Sequence, residues 1–167
     1  NQKILSHPVV KGVGFIGSTA VGKELFALAG KLGKEASING NGKNHVLIMP
    51  GCDVDAVVDG LRRGCYGMAG QRCLGTDNLL FAGKAYEEVK DKFIQASASM
   101  KLGYGLDEAT QLGPLVSESG KQKVIDLIEA GLKEGAQLVL DGRNHPRVGE
   151  SHLVSAVAVK IKIAALL

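Results

Sequence analysis

Cys73, in the run Gly70-Gln71-Arg72-Cys73-Leu74-Gly75, could act as a covalent nucleophile, although a cysteine taken alone more often reads as buried and inert. A thiolate adds readily to a carbonyl carbon, and a loop flanked by glycines lets a substrate approach the backbone closely. Arg72 sets a permanent positive charge beside the sulfur, which favours the thiolate. The same guanidinium suits a substrate carboxylate, which it grips in a fork that lysine cannot copy. The three cysteines are odd in number and show no CxxC spacing. That argues against a disulfide framework or a zinc site and for a reducing compartment. Cys65 falls on an apolar helix face and Cys52 in a turn, and both read as inert.

The glycine-rich start allows three readings. Gly12-Val13-Gly14-Phe15-Ile16-Gly17 fits GxGxxG by the letter. Such a motif should follow a strand and open a helix, yet Ser6-His7-Pro8 is a poor strand and Phe15-Ile16 itself looks buried in one. Gly17 to Lys23 fits GxxxxGK, the first seven positions of a P-loop, and Leu138-Val139-Leu140-Asp141 imitates a metal-binding strand end. Glu24, however, stands where a Ser or Thr would hold Mg²⁺, and a carboxylate there repels a triphosphate. The third reading takes Gly17-Ser18-Thr19 as a helix N-terminus facing a dinucleotide pyrophosphate, where free N–H groups and the helix dipole favour an anion. Capping alone would also explain Ser18.

Taken together, Phe15-Ile16-Gly17-Ser18-Thr19, Asn39-Gly40-Asn41-Gly42-Lys43-Asn44-His45 and Gly70-Gln71-Arg72-Cys73 resemble the aldehyde dehydrogenase superfamily. The Lys-Asn-His ending and the Arg before the Cys resemble its CoA-acylating branch, the methylmalonate-semialdehyde dehydrogenases. The resemblance runs from about residue 4 to about 150 and covers the middle of such an enzyme. It implies a parallel-sheet α/β fold holding the end of the NAD-binding domain, residues 1–40, and most of the catalytic domain, residues 41–150. A divergent tail, 151–167, follows. The resemblance implies NAD as cofactor, with Gly17, Ser18 and Gly40 at its site, and coenzyme A as co-substrate. It implies oxidation of malonate or methylmalonate semialdehyde to acetyl-CoA or propionyl-CoA through a Cys73 thioester, with Arg72 on the substrate carboxylate.

Asn39 stands four positions before Lys43, where hydrolytic members place the glutamate of Glu-Leu-Gly-Gly-Lys, the general base for thioester hydrolysis. An asparagine cannot accept that proton. The thioester is then left for a better nucleophile, and a thiol of pKa about 8.5 needs less help than water. The other reading is that a one-residue gap in the Asn-Gly-Asn-Gly loop shifts the count away from Asn39. The oxyanion-stabilising Asn of such enzymes falls before residue 1, and the Glu that binds the nicotinamide ribose falls beyond residue 167. A non-catalytic fragment that pairs with other chains of the family is the alternative. The resemblance further implies a homo-oligomer when complete, in the mitochondrial matrix of a eukaryote or the cytoplasm otherwise.

The elements that must position these residues follow from composition and pattern. A chain of 167 residues fits one domain, and a net charge of +3 without basic runs argues against nucleic acid as a partner. The apolar stretch Leu153 to Leu167 is broken by Lys160 and Lys162 and falls short of the about 20 residues that span a bilayer, so the chain reads as soluble. Strands are expected at Val13–Ile16, Glu35–Ile38, Val46–Met49, Asn78–Phe81 and Leu138–Leu140. A helix from Thr19 to Leu32 should bury Val21, Leu25, Leu28 and Leu32 and stop at Gly33. Asp53 should cap a helix to about Gly67, with Val54, Val57, Val58, Leu61 and Cys65 inward. A third helix should run from Ala85 to Met100, with Tyr86, Val89 and Phe93 inward. Ser119 and Gln122 suggest a capping box for a fourth, ending near Gly135 and lined by Val124, Leu127, Ile128 and Leu132. Such alternation predicts parallel α/β architecture.

Overall fold

The computed structural model describes residues 2–149 and the backbone of 158–160. The rest of the tail 151–167 lies outside the described residues. The chain divides into two compact units, residues 1–43 and 44–167.

The first unit is a strand–helix–strand motif. After a short helix α1 (Gln2–Ser6), strands β1 (Gly12–Ile16) and β2 (Glu35–Asn39) pair in parallel, joined by helix α2 (Thr19–Lys31). Val13 and Phe15 of β1 and Ala36 and Ile38 of β2 alternate onto one face and pack against Leu25, Leu28 and Ala29 of α2, with Leu5. The buried stripe of α2 is Gly22, Leu25 and Ala29. The expected positions Val21 and Leu32 remain 40% and 38% exposed, because the small Gly22 and Ala29 let the helix lie close to the sheet and rotate its contact line toward them. Gly33, at φ +63, ends the helix as expected. The Lys34 ammonium donates to the carbonyls of Leu5 and His7, tying the turn to α1.

The second unit repeats the motif. Strands β3 (His45–Ile48) and β4 (Asn78–Phe81) pair in parallel around helix α3 (Val54–Tyr66). Asp53 caps α3 by accepting from the N–H groups of Asp55 and Ala56. Helix α4 (Ala85–Ala98) packs on α3, and Ile48, Val58, Leu61, Ala85, Val89 and Phe93 form the core between them. Burying each of the larger members contributes about 1.5–3 kcal/mol. Met100 lies past the end of α4 and joins Leu102 and Leu112 in a second cluster. Helix α5 (Glu118–Lys133) is capped by Ser117, whose hydroxyl accepts from the Gly120 N–H. The Ser119–Gln122 box therefore does not form: Ser119 is already in the first turn and hydrogen-bonds Ser117 instead. Leu127 is 62% exposed, and Ile128 alone of the expected stripe is buried. Strand β5 (Gln137–Leu140) pairs antiparallel with β6 (Ala158–Lys160), beside the two parallel pairs that the expected α/β architecture calls for. No helix among the described residues is long and apolar enough to cross a membrane.

Candidate active site

The Cys73 loop lies between α3 and β4. Past Tyr66 the chain makes a short helical turn at Gly67–Gly70, in which Met68 (φ 53) and Ala69 (φ 54) are left-handed. Each such non-glycine residue costs about 1–3 kcal/mol, so the surroundings must impose it. They do so on both sides. Ala69 packs on the Met100, Leu102 and Leu112 cluster. Gln71 donates from its amide nitrogen to the Met68 carbonyl at 2.9 Å and accepts from the Val116 N–H at 3.0 Å.

The nucleophile candidate itself sits in a turn, and it is exposed. The Gly75 N–H donates to the Arg72 carbonyl at 3.1 Å, and the Thr76 N–H to the Gly64 carbonyl at 2.9 Å. The Arg72 carbonyl is thereby turned inward. The Cys73 N–H belongs to the same planar trans peptide and points the opposite way. It meets no acceptor among the described residues. A free donor adjacent to a thiol is what a tetrahedral oxyanion requires.

Asn44 closes the far side of the turn. Parallel pairing sets His45 opposite Asn78, so the residue before β3 lies beside the residues before β4. The Asn44 N–H donates to the Asp77 carboxylate at 2.8 Å, and its carbonyl accepts from the N–H groups of Asp77 and Asn78 at 3.2 and 2.9 Å. Its side-chain nitrogen donates to the carbonyls of both Cys73 and Gly75, each at 2.8 Å. Lys43-Asn44-His45 stands out in the sequence as a motif, yet nothing in the residues themselves gives Asn44 a part in the site. The hint available was its place just before a strand parallel to the one that follows the cysteine.

Arg72 is exposed and bonds differently from the simple expectation. Its Nη1 donates to the Arg63 carbonyl at 3.3 Å, an acceptor shared with the Gly67 N–H at the end of α3. A cation at a helix C-terminus is stabilising in its own right. Cys65 and Cys52 are half-buried. Both pack against the core of α3 and α4. Burial, with the nearby Asp77 charge, pushes the Cys65 thiol up to about 11.

In the first unit, Gly17, Ser18, Asn39 and Gly40 come together, because β1 and β2 are parallel and both end there. The Gly17 N–H donates to the Asn39 carbonyl at 3.1 Å, and the Ser18 hydroxyl accepts from the Val21 N–H at 3.4 Å. The N–H groups of Thr19 and Ala20 find no acceptor among the described residues. The Asn41 N–H donates to the Thr19 hydroxyl at 3.0 Å. A Cβ at Gly40 would stand 2.6 Å from that hydroxyl, so only glycine fits this approach. Open amides at a helix start, past the carboxyl ends of parallel strands, fit a pyrophosphate. The rival readings fail on geometry. GxGxxG lies inside β1 rather than after it, and residues 19–23 of the GxxxxGK stretch are already helical, with Lys23 exposed on α2. Among the described residues no cluster of three or more His, Cys, Asp or Glu could hold a metal ion.

Known proteins align with this architecture. Residues 1–161 match the aldehyde dehydrogenase family. The chain is 36% identical over 148 residues to a malonate-semialdehyde dehydrogenase of Geobacillus kaustophilus, covering 89% of this chain and 31% of that one. It is also 36% identical over 141 residues to a protein of Aedes aegypti named a probable acylating, mitochondrial methylmalonate-semialdehyde/malonate-semialdehyde dehydrogenase, covering 84% of this chain and 27% of the other. Its backbone is similar to the NAD⁺ complex of an aldehyde dehydrogenase from Bacillus cereus, with a TM-score of 0.85 and 29% identity over 93% of this chain and 31% of that one. The chain thus spans less than a third of the length of these relatives, 31% and 27%.

Proposed function

The chain belongs to the aldehyde dehydrogenase family, and on that premise we propose that it carries the catalytic middle of a CoA-acylating malonate- or methylmalonate-semialdehyde dehydrogenase. On this reading residues 1–40 end the NAD-binding domain and residues 41–150 form part of the catalytic domain. The observation that carries the proposal is the exposed Cys73 in a turn whose own N–H is turned outward without an acceptor among the described residues.

The residues then divide the work. The Cys73 sulfur adds to the aldehyde carbon, and its N–H stabilises the oxygen that becomes charged. Collapse of that adduct with loss of hydride leaves a thioester on Cys73. NAD, when bound, accepts the hydride. Gly17, Ser18 and Gly40 would hold it, the open amides of Thr19 and Ala20 suiting its pyrophosphate. Arg72 faces the substrate carboxylate with the guanidinium hydrogens that the Arg63 carbonyl does not use. Loss of that carboxylate as carbon dioxide leaves its electron pair on the α-carbon as a thioester enolate, which takes a proton from water. The coenzyme A thiol then displaces the Cys73 thiolate to give acetyl- or propionyl-CoA. Asn39 holds a glycine N–H through its carbonyl and has no carboxylate with which to activate water, which favours CoA over hydrolysis. The names of the Geobacillus and Aedes relatives support the substrate class, and the second also supports acylation and a mitochondrial setting.

Following NADH formation by the chain with malonate semialdehyde and NAD tests the proposal. Turnover should require CoA and vanish in Cys73→Ser. Release of free acid at one rate with and without CoA would refute the acyl-transfer reading.

A further inference from the structure

We propose that Asn44 is a positioning residue for Cys73, its carboxamide holding the nucleophile's turn in the shape that lets the Cys73 N–H serve an oxyanion. The inference rests on the reading of Cys73 as the nucleophile. The amide nitrogen lies 2.8 Å from both the Cys73 and Gly75 carbonyls. Both neighbours are acceptors, so the side-chain orientation is settled: only the NH₂ end can satisfy two carbonyl oxygens.

These two contacts fix planes that the turn does not fix by itself. The Gly75-to-Arg72 hydrogen bond orients the peptide before Cys73, and Asn44 orients the peptides after Cys73 and after Gly75. With both flanking planes held, the dihedral angles at Cys73 are held too, and so are the directions of its sulfur and its N–H. Gln71 anchors the upstream end to Met68 and Val116. The main chain of Asn44 is itself locked by Asp77 and Asn78, so the clamp is rigid at its base. No substrate or cofactor is needed to set it.

Two reagents separate positioning from thiol exposure. Iodoacetamide needs only a thiolate, whereas p-nitrophenyl acetate must pass through a tetrahedral oxyanion. In the second reaction the sulfur bonds to the ester carbon, the carbonyl electrons move to oxygen, and their return expels p-nitrophenolate and leaves an acetyl thioester. We expect Asn44→Ala to slow the p-nitrophenolate burst about tenfold, the order set by losing two neutral hydrogen bonds, while alkylation of Cys73 changes less than about twofold. Asn44→Ser, which keeps one donor, should recover part of the burst. Far-UV circular dichroism and thermal melting check that each variant is folded. The inference is overturned if burst and alkylation fall together, if neither moves, or if Asn44→Ser is no better than Asn44→Ala. A burst that survives Cys73→Ser in the otherwise native chain would instead sink the nucleophile reading itself.

Discussion

Cys65 provides the sharpest contrast with Cys73, because two thiols a few residues apart should differ strongly in reactivity. Burial, then the Asp77 charge, raises the Cys65 thiol from its ordinary 9.0 to about 11. At pH 8 an unshifted thiol is about one-tenth thiolate, whereas Cys65 is about one-thousandth. Ionisation alone therefore slows its alkylation about a hundredfold, before steric shielding is counted. Limited iodoacetamide treatment followed by peptide mass spectrometry reads each site separately, and the exposed Cys73 should be modified first. In denaturant all three cysteines should react alike. The same shift has a thermodynamic sign. The folded state keeps the proton between pH 9 and about 11, while the unfolded state has already lost it, so stability falls as pH rises through that window and is fully present below it. The gap sets a ceiling of about 3 kcal/mol, and the partial exposure of Cys65 brings the expected loss nearer 1–2 kcal/mol. Cys65→Ala should flatten that alkaline slope. Native labelling of Cys65 within tenfold of Cys73 would refute the reasoning.

Other perturbations bear on the remaining elements. Gly40→Val drives a Cβ onto the Thr19 hydroxyl and breaks its bond from Asn41, so NAD affinity should drop, while the exposed Lys23→Ala should leave it nearly unchanged. Isothermal titration measures both, and Mg·ATP binding lost in Lys23→Ala would reverse the assignment. Val89 is completely buried in the second unit's core, so Val89→Ala should cost about 2 kcal/mol in urea unfolding. Asp53→Ala removes the α3 cap and should cost about 1 kcal/mol. Asp55→Ala loses an exposed pair with Lys92 and a carboxylate in the first turn of α3, and should cost less than about 1 kcal/mol.

Much of this was legible in the residues because local signals agree with the fold. The strand at Asn78–Phe81, the Asp53 cap and the Gly33 stop each follow from one residue's own chemistry and need no distant partner. The α2 stripe departs from its periodicity, which ranks Val21 and Leu32 above glycine, because close helix–sheet contact favours the small Gly22 and Ala29. At α5 two serines both suit a cap, and only backbone geometry chooses Ser117 over Ser119. In the site, Cys73 stood out only through the family resemblance of its loop, since a cysteine taken alone reads more readily as inert. The clamp from Asn44 was not legible, since it arises from strand register across residues far apart in sequence. The bond from Arg72 to Arg63 was hidden for the same reason: it depends on how the chain doubles back after α3.

The most direct measurement of the central claim is the mass of the Cys73 peptide after the chain meets malonate semialdehyde and NAD without CoA. The account predicts an acyl adduct on Cys73 alone, formed together with NADH and discharged to acyl-CoA when CoA is added. NADH formation with Cys73 unmodified, or an adduct that water releases as quickly as CoA does, would contradict it.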